Sequence, residues 1–148
     1  MPQRSKLGVV KRVAHQRALQ AQRKTVQSRA KLDESRAQLL QLVNYREEYN
    51  RRFLELGDVG MGAGDMQEFQ AFLSRVDKAI DLQRRIIDEN SGAWQNSHAI
   101  WQEIRAHEAS LEELLAARLR TDYREAERRD QKQTDEGSSQ RALRNRQH

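Results

Sequence analysis

Several residue types are scarce or absent in this 148-residue chain, and each absence excludes a class of protein. The lack of cysteine excludes a disulfide framework and a thiolate metal site, and it fits a reducing compartment such as the cytoplasm. No apolar run approaches the roughly 18 residues that a membrane-spanning helix requires, so we expect membrane contact only through partners. Aromatic residues make up 5% and charged residues 33% of the chain, which is too polar for a deep globular core.

Acidic residues are also missing before Asp33, where basic residues are frequent. An acid-free, arginine-rich and amphipathic start is typical of a mitochondrial transit peptide, which is one interpretation. The hydrophobic repeat described next runs through this segment without a cleavage break, and this favours a segment of the folded protein. The basic residues are Arg4, Lys6, Lys11, Arg12, Arg17, Arg23, Lys24, Arg29 and Lys31.

Hydrophobic residues recur with a seven-residue period on both sides of a glycine-rich segment, residues 57–64. Such a repeat is typical of coiled-coil helices, and the alternation expected of strands is absent. The first set of core positions is Ala18, Ala21, Thr25, Ser28, Leu32, Ser35, Leu39, Leu42, Arg46, Tyr49, Phe53 and Leu56. The second set is Met66, Phe69, Leu73, Val76, Ile80, Gln83, Ile87, Asn90, Trp94, Ser97, Trp101, Ile104, Glu108, Leu111 and Leu115.

The glycine-rich stretch ELGDVGMGAGDM is either a phosphate-binding loop or a turn between helices. A phosphate loop normally follows a strand and has fixed glycine spacings, and the nucleotide-binding version continues with Gly-Lys-Ser/Thr, which is missing here. If the chain folds back at the glycines, the two repeats meet in register and small residues lie opposite large ones, as close packing requires. The predicted facing pairs are Leu56 with Met66, Phe53 with Phe69, Tyr49 with Leu73, Leu42 with Ile80, Ser28 with Trp94, and Ala21 with Trp101.

We therefore predict an all-α fold, a long two-helix antiparallel coiled-coil hairpin with a C-terminal helical overhang, forming a single elongated domain over residues 1–148. The first helix is predicted over about residues 3–56 and the glycine-rich turn over 57–64. The second helix is predicted over about residues 65–136, because Gly137 is a usual helix terminator. A disordered basic tail is predicted over residues 137–148.

The histidines and carboxylates are not spaced for a metal site or for catalysis. His15, His98, His107 and His148 form no close set, and Glu103 with His107 lacks a third ligand. A two-helix hairpin offers no concave pocket that would shift carboxylate pKa values or exclude water. We therefore expect no enzymatic activity, no metal, no cofactor and no small-molecule substrate.

A third apolar column runs beside the predicted core positions of the second helix. An exposed apolar row of this kind usually marks a docking surface, although the side-chain stems of Arg17, Lys24 and Lys31 are an alternative cover for it. The column consists of Phe72, Ala79, Ile86, Ala93, Ile100, His107 and Leu114. The basic chain ends would suit nucleic acid, but the C-terminal bases are mixed with acids, so nucleic-acid binding is the less favoured interpretation.

Three blocks of the sequence, taken together, carry a family resemblance. They are NYREEYNRRF before the glycines, FQAFLSRVDKAIDLQR after them, and DQKQTDEGSSQRA near the end. In this combination and spacing, the chain from about Leu32 to Arg146 resembles the flagellar type III export protein FliJ family. The resemblance implies an antiparallel coiled coil similar to the central stalk subunit of rotary ATPases. It also implies a cytoplasmic protein that is peripherally associated with the cytoplasmic face of the inner membrane at the flagellar base.

The resemblance also implies partners and residues. The end with both termini would insert into and activate the flagellar export ATPase hexamer, and the other end would contact the cytoplasmic domain of the membrane export gate. The protein would escort export chaperones and be required for flagellum assembly and motility. Implied gate-binding residues are Gln38, Leu42, Tyr45, Tyr49, Phe72, Val76, Ala79 and Gln83. Implied ATPase-binding residues are Lys11, Arg12, Arg124, Arg128, Asp130, Gln131, Lys132, Asp135 and Glu136.

Two alternatives to the flagellar interpretation stay open on the sequence. The stalk protein of a virulence type III injectisome has the same architecture, with weaker sequence similarity. A generic coiled-coil scaffold or nucleic-acid-binding protein would also contain two such repeats, but it would not interact with an export ATPase.

Overall fold

A computed structural model of the protein describes residues 2–57, 60 and 62–146, with side chains from Lys6 onward. The described residues form two α-helices, α1 over Pro2–Gly57 and α2 over Ala63–Arg146, and no strand occurs among them. Residues 58, 59 and 61 of the predicted turn, and the last two residues of the predicted tail, lie outside the described residues. The antiparallel two-helix fold class predicted from the sequence is confirmed.

Residues at the helix ends are of types that favour these positions in a helix. Pro2 is the first residue of α1, a position where the missing amide hydrogen has no intrahelical acceptor to lose. Asp65 lies in the first turn of α2, and Arg144 and Arg146 lie in its last turn. These charges have the signs that the helix dipole favours at its two ends.

α2 ends later than the sequence predicts. The helix continues through Gly137 to Arg146, where the sequence predicted an end near Glu136 and a disordered tail. A glycine in a helix interior is only about 1 kcal/mol less favourable than alanine, and no proline follows to force an end. Gly8 in α1 and Gly92 in α2 also lie inside helices.

The glycine-rich segment joins the two helices. Gly60 has a positive φ of 85°, which favours glycine, and its amide nitrogen donates a hydrogen bond to the carbonyl oxygen of Gly57 at 3.4 Å. The segment follows a helix, whereas a phosphate-binding loop normally follows a strand. The segment therefore has the position of a connection between two helices.

The structure divides into two units, and each helix contributes to both. Arg17–Ile104 form one of them, here called the central unit. The residues up to Gln16 together with those from Arg105 onward form the other, here called the terminal unit. That the whole chain is one domain stays a prediction.

The seam between α1 and α2 in the central unit is formed by the predicted core positions. Phe53 stacks on Phe69 with ring centroids 3.5 Å apart, and the Thr25 hydroxyl lies 3.1 Å from the carbonyl oxygen of Ser97. Both pairs have the spacing of the predicted antiparallel register. The buried residues are Ala18, Ala21, Thr25, Leu32, Ser35, Phe69, Val76, Ile80 and Gln83.

Three of these buried seam residues are polar, and each is hydrogen bonded. The Thr25 hydroxyl is also 2.9 Å from the carbonyl oxygen of Ala21, and the Ser35 hydroxyl donates to the carbonyl oxygen of Leu32 at 2.8 Å. The Gln83 amide nitrogen donates to the carbonyl oxygen of Ser35 at 3.0 Å, across the seam. Among the described residues no buried side-chain nitrogen or oxygen lacks a partner, so the seam tolerates these polar groups.

The seam does not extend to the last predicted pair before the turn. Leu56 is 59% exposed and Met66 is 44% exposed. Both residues lie beside the helix ends at the glycine-rich segment, where fewer neighbours are available to cover them. The closely packed seam therefore begins one turn further from the glycines, at Phe53 and Phe69.

In the terminal unit, packing between α1 and α2 ends at Leu115. Leu7, Ala14 and Leu111 are half-buried, and His15 Nδ1 lies 2.8 Å from Glu108 Oε1. From Ala116 to Arg146 every residue of α2 is exposed except Gly137. This segment, 116–146, is the C-terminal overhang, and it begins earlier than the sequence predicts, which places the end of pairing near Thr121.

Candidate functional site

Aromatic side chains from both helices form an aromatic cluster next to the turn. Tyr45, Tyr49 and Phe53 are spaced four residues apart on α1, and Phe69 and Phe72 are three apart on α2, so each set lies on one helix face. Tyr49 stacks on Phe69 at 5.6 Å and lies 4.0 Å from Phe72 between ring centroids. Tyr45 meets Phe72 edge to face at 5.8 Å.

The aromatic cluster has a buried side and an exposed side. Phe69 is 8% exposed, whereas Tyr45 is 52% exposed and Phe72 is half-buried. A tyrosine offers an apolar ring together with a polar hydroxyl, a combination that is enriched in protein–protein interfaces. Tyr45 is therefore the most accessible ring of the aromatic cluster, and the half-buried Phe72 lies directly beside it.

An open groove adjoins Tyr45 along α1. It is lined by Gln38, Gln41, Leu42, Tyr45 and Gln83. The Gln83 amide nitrogen donates to the side-chain oxygen of Gln38 at 3.1 Å, in addition to its bond across the seam. The groove therefore has a fixed polar floor beside an apolar aromatic wall.

The structure brings most of the implied gate-binding residues within reach of a partner, but two of them are buried. Val76 is 7% exposed and Gln83 is 8% exposed, because both occupy seam positions. Leu42, Tyr49, Phe72 and Ala79 are half-buried, while Gln38 and Tyr45 are exposed. Packing and positioning of neighbours are therefore the roles that burial allows for Val76 and Gln83.

Arg46 is the one charged residue among the predicted seam positions of α1. Its Nε lies 2.6 Å from Asp77 Oδ1 on α2, beside the aromatic cluster. The hydrogen bond and the negative charge of Asp77 raise the pKa of the Arg46 guanidinium above its ordinary value. The charge at this seam position is thus paired across the two helices.

A second ring assembly in the central unit was not predicted from the sequence. His98 stacks on Trp94 with centroids 5.2 Å apart and lies 5.7 Å from Trp101. The Arg29 guanidinium lies 5.0 Å from the centre of the Trp94 ring, in cation–π geometry. The spacing of the two tryptophans and the histidine in WQNSHAIW, which places all three on one helix face, is the signal that could have identified it.

The implied ATPase-binding residues all belong to the terminal unit, and all are exposed. Lys11 and Arg12 lie on α1, and the others lie within residues 124–136 of the overhang. Within the overhang the ion pair between Arg129 and Glu125 joins residues one turn apart at 3.9 Å. The residues of this set are Lys11, Arg12, Arg124, Arg128, Asp130, Gln131, Lys132, Asp135 and Glu136.

The part of the chain that the structure describes lacks two further kinds of site. It contains no group of three or more His, Asp or Glu side chains that could hold a metal ion. It also contains no helix that is both long and apolar enough to cross a membrane. The two candidate surfaces are the aromatic cluster with its groove and the overhang.

Comparison with known proteins gives one family. The family model described as "Flagellar FliJ protein" matches residues 3–147. No curated protein and no solved structure matches the chain. The family match also covers the basic amino-terminal segment, which none of the three sequence blocks includes.

Proposed function

Because the chain belongs to the flagellar FliJ family, whose members are associated with flagellar protein export, we propose that it is a stalk-like component of the export apparatus. Its overhang inserts into the export ATPase hexamer and activates ATP hydrolysis. The aromatic cluster contacts the cytoplasmic domain of the membrane export gate. The protein also escorts export chaperones and acts in the cytoplasm, at the membrane face of the flagellar base.

The observation that carries this proposal is the overhang. A helix that packs no face against the rest of its chain is only marginally stable alone, so an exposed helical segment of this length suits insertion into another protein. Leu119 and Tyr123 are 57% and 66% exposed and lie four residues apart, which places them on one face. Charged residues of both signs surround these two apolar side chains. The overhang therefore offers a helix with anchors and charges for a surrounding ring.

The gate-binding part of the proposal is supported by Tyr45 and Phe72. The two rings touch each other across the helices, and one edge of the pair faces solvent. Aromatic side chains in such a position are enriched among the residues that dominate interface affinity. Because Phe72 also contacts Tyr49, which itself stacks on Phe69, a partner would meet Phe72 already ordered.

The ATPase contact is tested by ATP hydrolysis of the flagellar export ATPase from the same organism at physiological salt. We expect the full chain to stimulate hydrolysis and promote hexamers, and truncation after Arg120 to abolish both effects. Arg124→Glu with Arg128→Glu should reduce stimulation strongly, because both cations are exposed on one face of the overhang. Arg75→Glu with Arg85→Glu, two exposed cations of the central unit, is the charge-matched control. Equal loss in both double variants would contradict a specific role of the overhang.

The gate contact is tested by calorimetry with the purified cytoplasmic domain of the export gate. Phe72→Asp should weaken binding by roughly 30-fold or more, as loss of an interface hot spot does. Leu82→Asp introduces the same charge at a leucine that is 59% exposed and lies outside the aromatic cluster, and it should leave affinity unchanged. Gate binding that survives Phe72→Asp, with helicity intact, would remove the aromatic cluster from the proposal. If truncation after Arg120 abolished gate binding instead, the assignment of the two surfaces would be reversed.

A further inference from the structure

A second groove lies in the central unit, away from the aromatic cluster. It contains Lys24 and Lys31 of α1 and Ala93 of α2. The name cationic groove is used here for this groove together with the columns that continue it along the helices, which add Arg17 on α1 and Ile86 and Ile100 on α2. Each set repeats every seven residues, so each forms one column beside the seam. The proposed function uses none of these residues.

The floor of the cationic groove consists of small side chains. Ser28, Ala93 and Ser97 line it, and Lys24, Gln27 and Lys31 stand beside it. The Asn90 amide nitrogen lies 3.5 Å from the carbonyl oxygen of Lys31 and closes the floor on one side. Small residues at such a place allow another helix to approach closely, because the distance between packed helix axes depends on side-chain size at the contact.

The α2 wall of the cationic groove is apolar and exposed. Ile86 is 36% exposed and Ile100 is 46% exposed, with the exposed Ala93 between them. At about 1.5 Å per residue, the two isoleucines are about 21 Å apart along the helix. This length would contact about four turns of a partner helix.

The α1 wall carries cations that have no partner inside the described part of the chain. None of the described acidic residues forms an ion pair with Arg17, Lys24 or Lys31. By contrast, Arg29 on the same helix is paired with Asp33 and lies over Trp94. Three unpaired cations in a row beside an apolar wall therefore have the charge pattern of one half of an interface.

We propose that the cationic groove binds an amphipathic helix of a partner protein, with apolar residues along one face and acidic residues beside them. The apolar face would lie on Ile86, Ala93 and Ile100, and carboxylates spaced seven residues apart would meet Lys24 and Lys31. The cations lie on one side of the groove only, and the opposite side is aliphatic. A nucleic acid carries phosphates on both strands or along its whole length. It therefore does not match a groove whose cations lie on one side only.

The proposal is tested with three fluorescein-labelled 21-residue helical peptides that share leucine and alanine at their apolar positions. The positions that flank the apolar face carry glutamate, glutamine or lysine. Binding to the full chain is measured by fluorescence anisotropy at physiological salt. We expect the glutamate peptide to bind most tightly and the lysine peptide about tenfold more weakly or worse, since rim charges contribute modestly per pair.

Charge reversal in the groove should reverse this order. Lys24→Glu with Lys31→Glu should weaken binding of the glutamate peptide by about tenfold and strengthen binding of the lysine peptide, because the interacting charges change sign. Arg23→Glu with Arg51→Glu is the matched control, since both are exposed on the face of α1 opposite the seam and the change in net charge is the same. Ile86→Ser with Ile100→Ser should weaken binding of all three peptides to the same extent. Circular dichroism checks that each variant keeps its helicity.

Three outcomes would overturn the proposal. The first is a glutamate peptide that does not bind, or one whose affinity changes equally in the groove variant and the control. The second is concentration-dependent dimerisation of the chain that Lys24→Glu with Lys31→Glu abolishes, because the occupant would then be a second copy. The third is binding of single-stranded DNA that is lost in the groove variant while peptide binding is unchanged. Because no ATPase or gate domain is present, none of these outcomes bears on the proposed export function.

Discussion

Two regions of α2 have the same helical backbone and opposite surroundings. In the central unit, one face of the helix contributes Phe69, Val76, Ile80 and Gln83 to a seam with α1. In the overhang, no described residue is buried. Both regions are rich in residues with high helix propensity, so local sequence alone favours helix in both.

The difference teaches what each region depends on. Helices in water gain most of their stability from packing an apolar face, and only the central unit has this contribution. The overhang depends on propensity and on weak intrahelical contacts such as Arg129 with Glu125. We therefore expect substitutions of the same type to have large effects in the central unit and small ones in the overhang.

The largest expected difference in the free energy of unfolding is between two leucine-to-alanine substitutions, one in each region. Leu32 is 1% exposed, so Leu32→Ala should lower the free energy of unfolding by about 3 kcal/mol through lost burial and a cavity. Leu119 in the overhang is 57% exposed, and Leu119→Ala should change it by less than about 0.5 kcal/mol. Urea unfolding followed by circular dichroism measures both. Equal destabilisation would mean that the overhang packs against another part of the chain.

A hydroxyl comparison separates seam hydrogen bonds from intrahelical ones. Thr25→Val removes the hydrogen bond to the carbonyl oxygen of Ser97 and should destabilise the protein by about 1 kcal/mol. Thr134→Val removes only a bond to the carbonyl oxygen of Asp130 within the overhang, and it should have almost no effect on global unfolding. The same urea experiment applies. A neutral Thr25→Val would mean that neither hydrogen bond of this hydroxyl contributes measurably to the free energy of unfolding.

Replacing helical glycines with alanine should stabilise the protein rather than destabilise it. Gly92 and Gly137 are both helical, and a Cβ atom added at either position meets nothing within 4 Å. Gly92→Ala should raise the free energy of unfolding by about 0.5–1 kcal/mol. Gly137→Ala should increase helicity and slow amide exchange in the overhang without moving the main unfolding transition. Destabilisation by Gly92→Ala would show that this position approaches another side chain more closely than the structure indicates.

The smallest expected difference concerns ion pairs. Arg46 and Asp77 form a pair across the seam at 2.6 Å, but both side chains are open to solvent, so a double-mutant cycle to alanine should give only a small coupling free energy. The coupling should decrease in 1 M sodium chloride because the pair is open to ionic screening. The Arg129 and Glu125 pair in the overhang should give a coupling near zero. A salt-independent coupling at Arg46 would indicate a contact with the neighbouring aromatic rings in addition to the charge pair.

The seam could be predicted from the sequence because a seven-residue repeat determines which helix face is covered. Opposing repeats around one turn then determine the register, and Phe53 with Phe69 and Thr25 with Ser97 follow from it. The exposed ends at Leu56 and Met66 could not be predicted, because their burial depends on neighbours beyond the turn. The continuation of α2 past Gly137 was missed because the weight of a single glycine depends on the residues that follow it.

The candidate surfaces were predictable in part. The repeat places Tyr45 and Phe72 beside the seam, and it places Val76 and Gln83 inside it, where the structure finds them. Side-chain directions outside the seam were not predictable, because several rotamers satisfy the same repeat. This is why the contacts of His15 with Glu108 and of Arg29 with Trp94 appear only in the structure.

The polar residues of the seam have a mechanical consequence. Sliding α2 along α1 by one heptad, about 10.5 Å, would place Gln83 opposite Leu32 or Arg46 and Thr25 opposite Asn90 or Ile104. In either direction the bonds of Gln83 to Ser35 and of Thr25 to Ser97 are broken, and Phe53 loses its stacking on Phe69. Buried polar residues are known to fix the alignment of coiled coils in this way. Under a shear load along the helix axis, the two helices of the central unit would therefore resist sliding past each other.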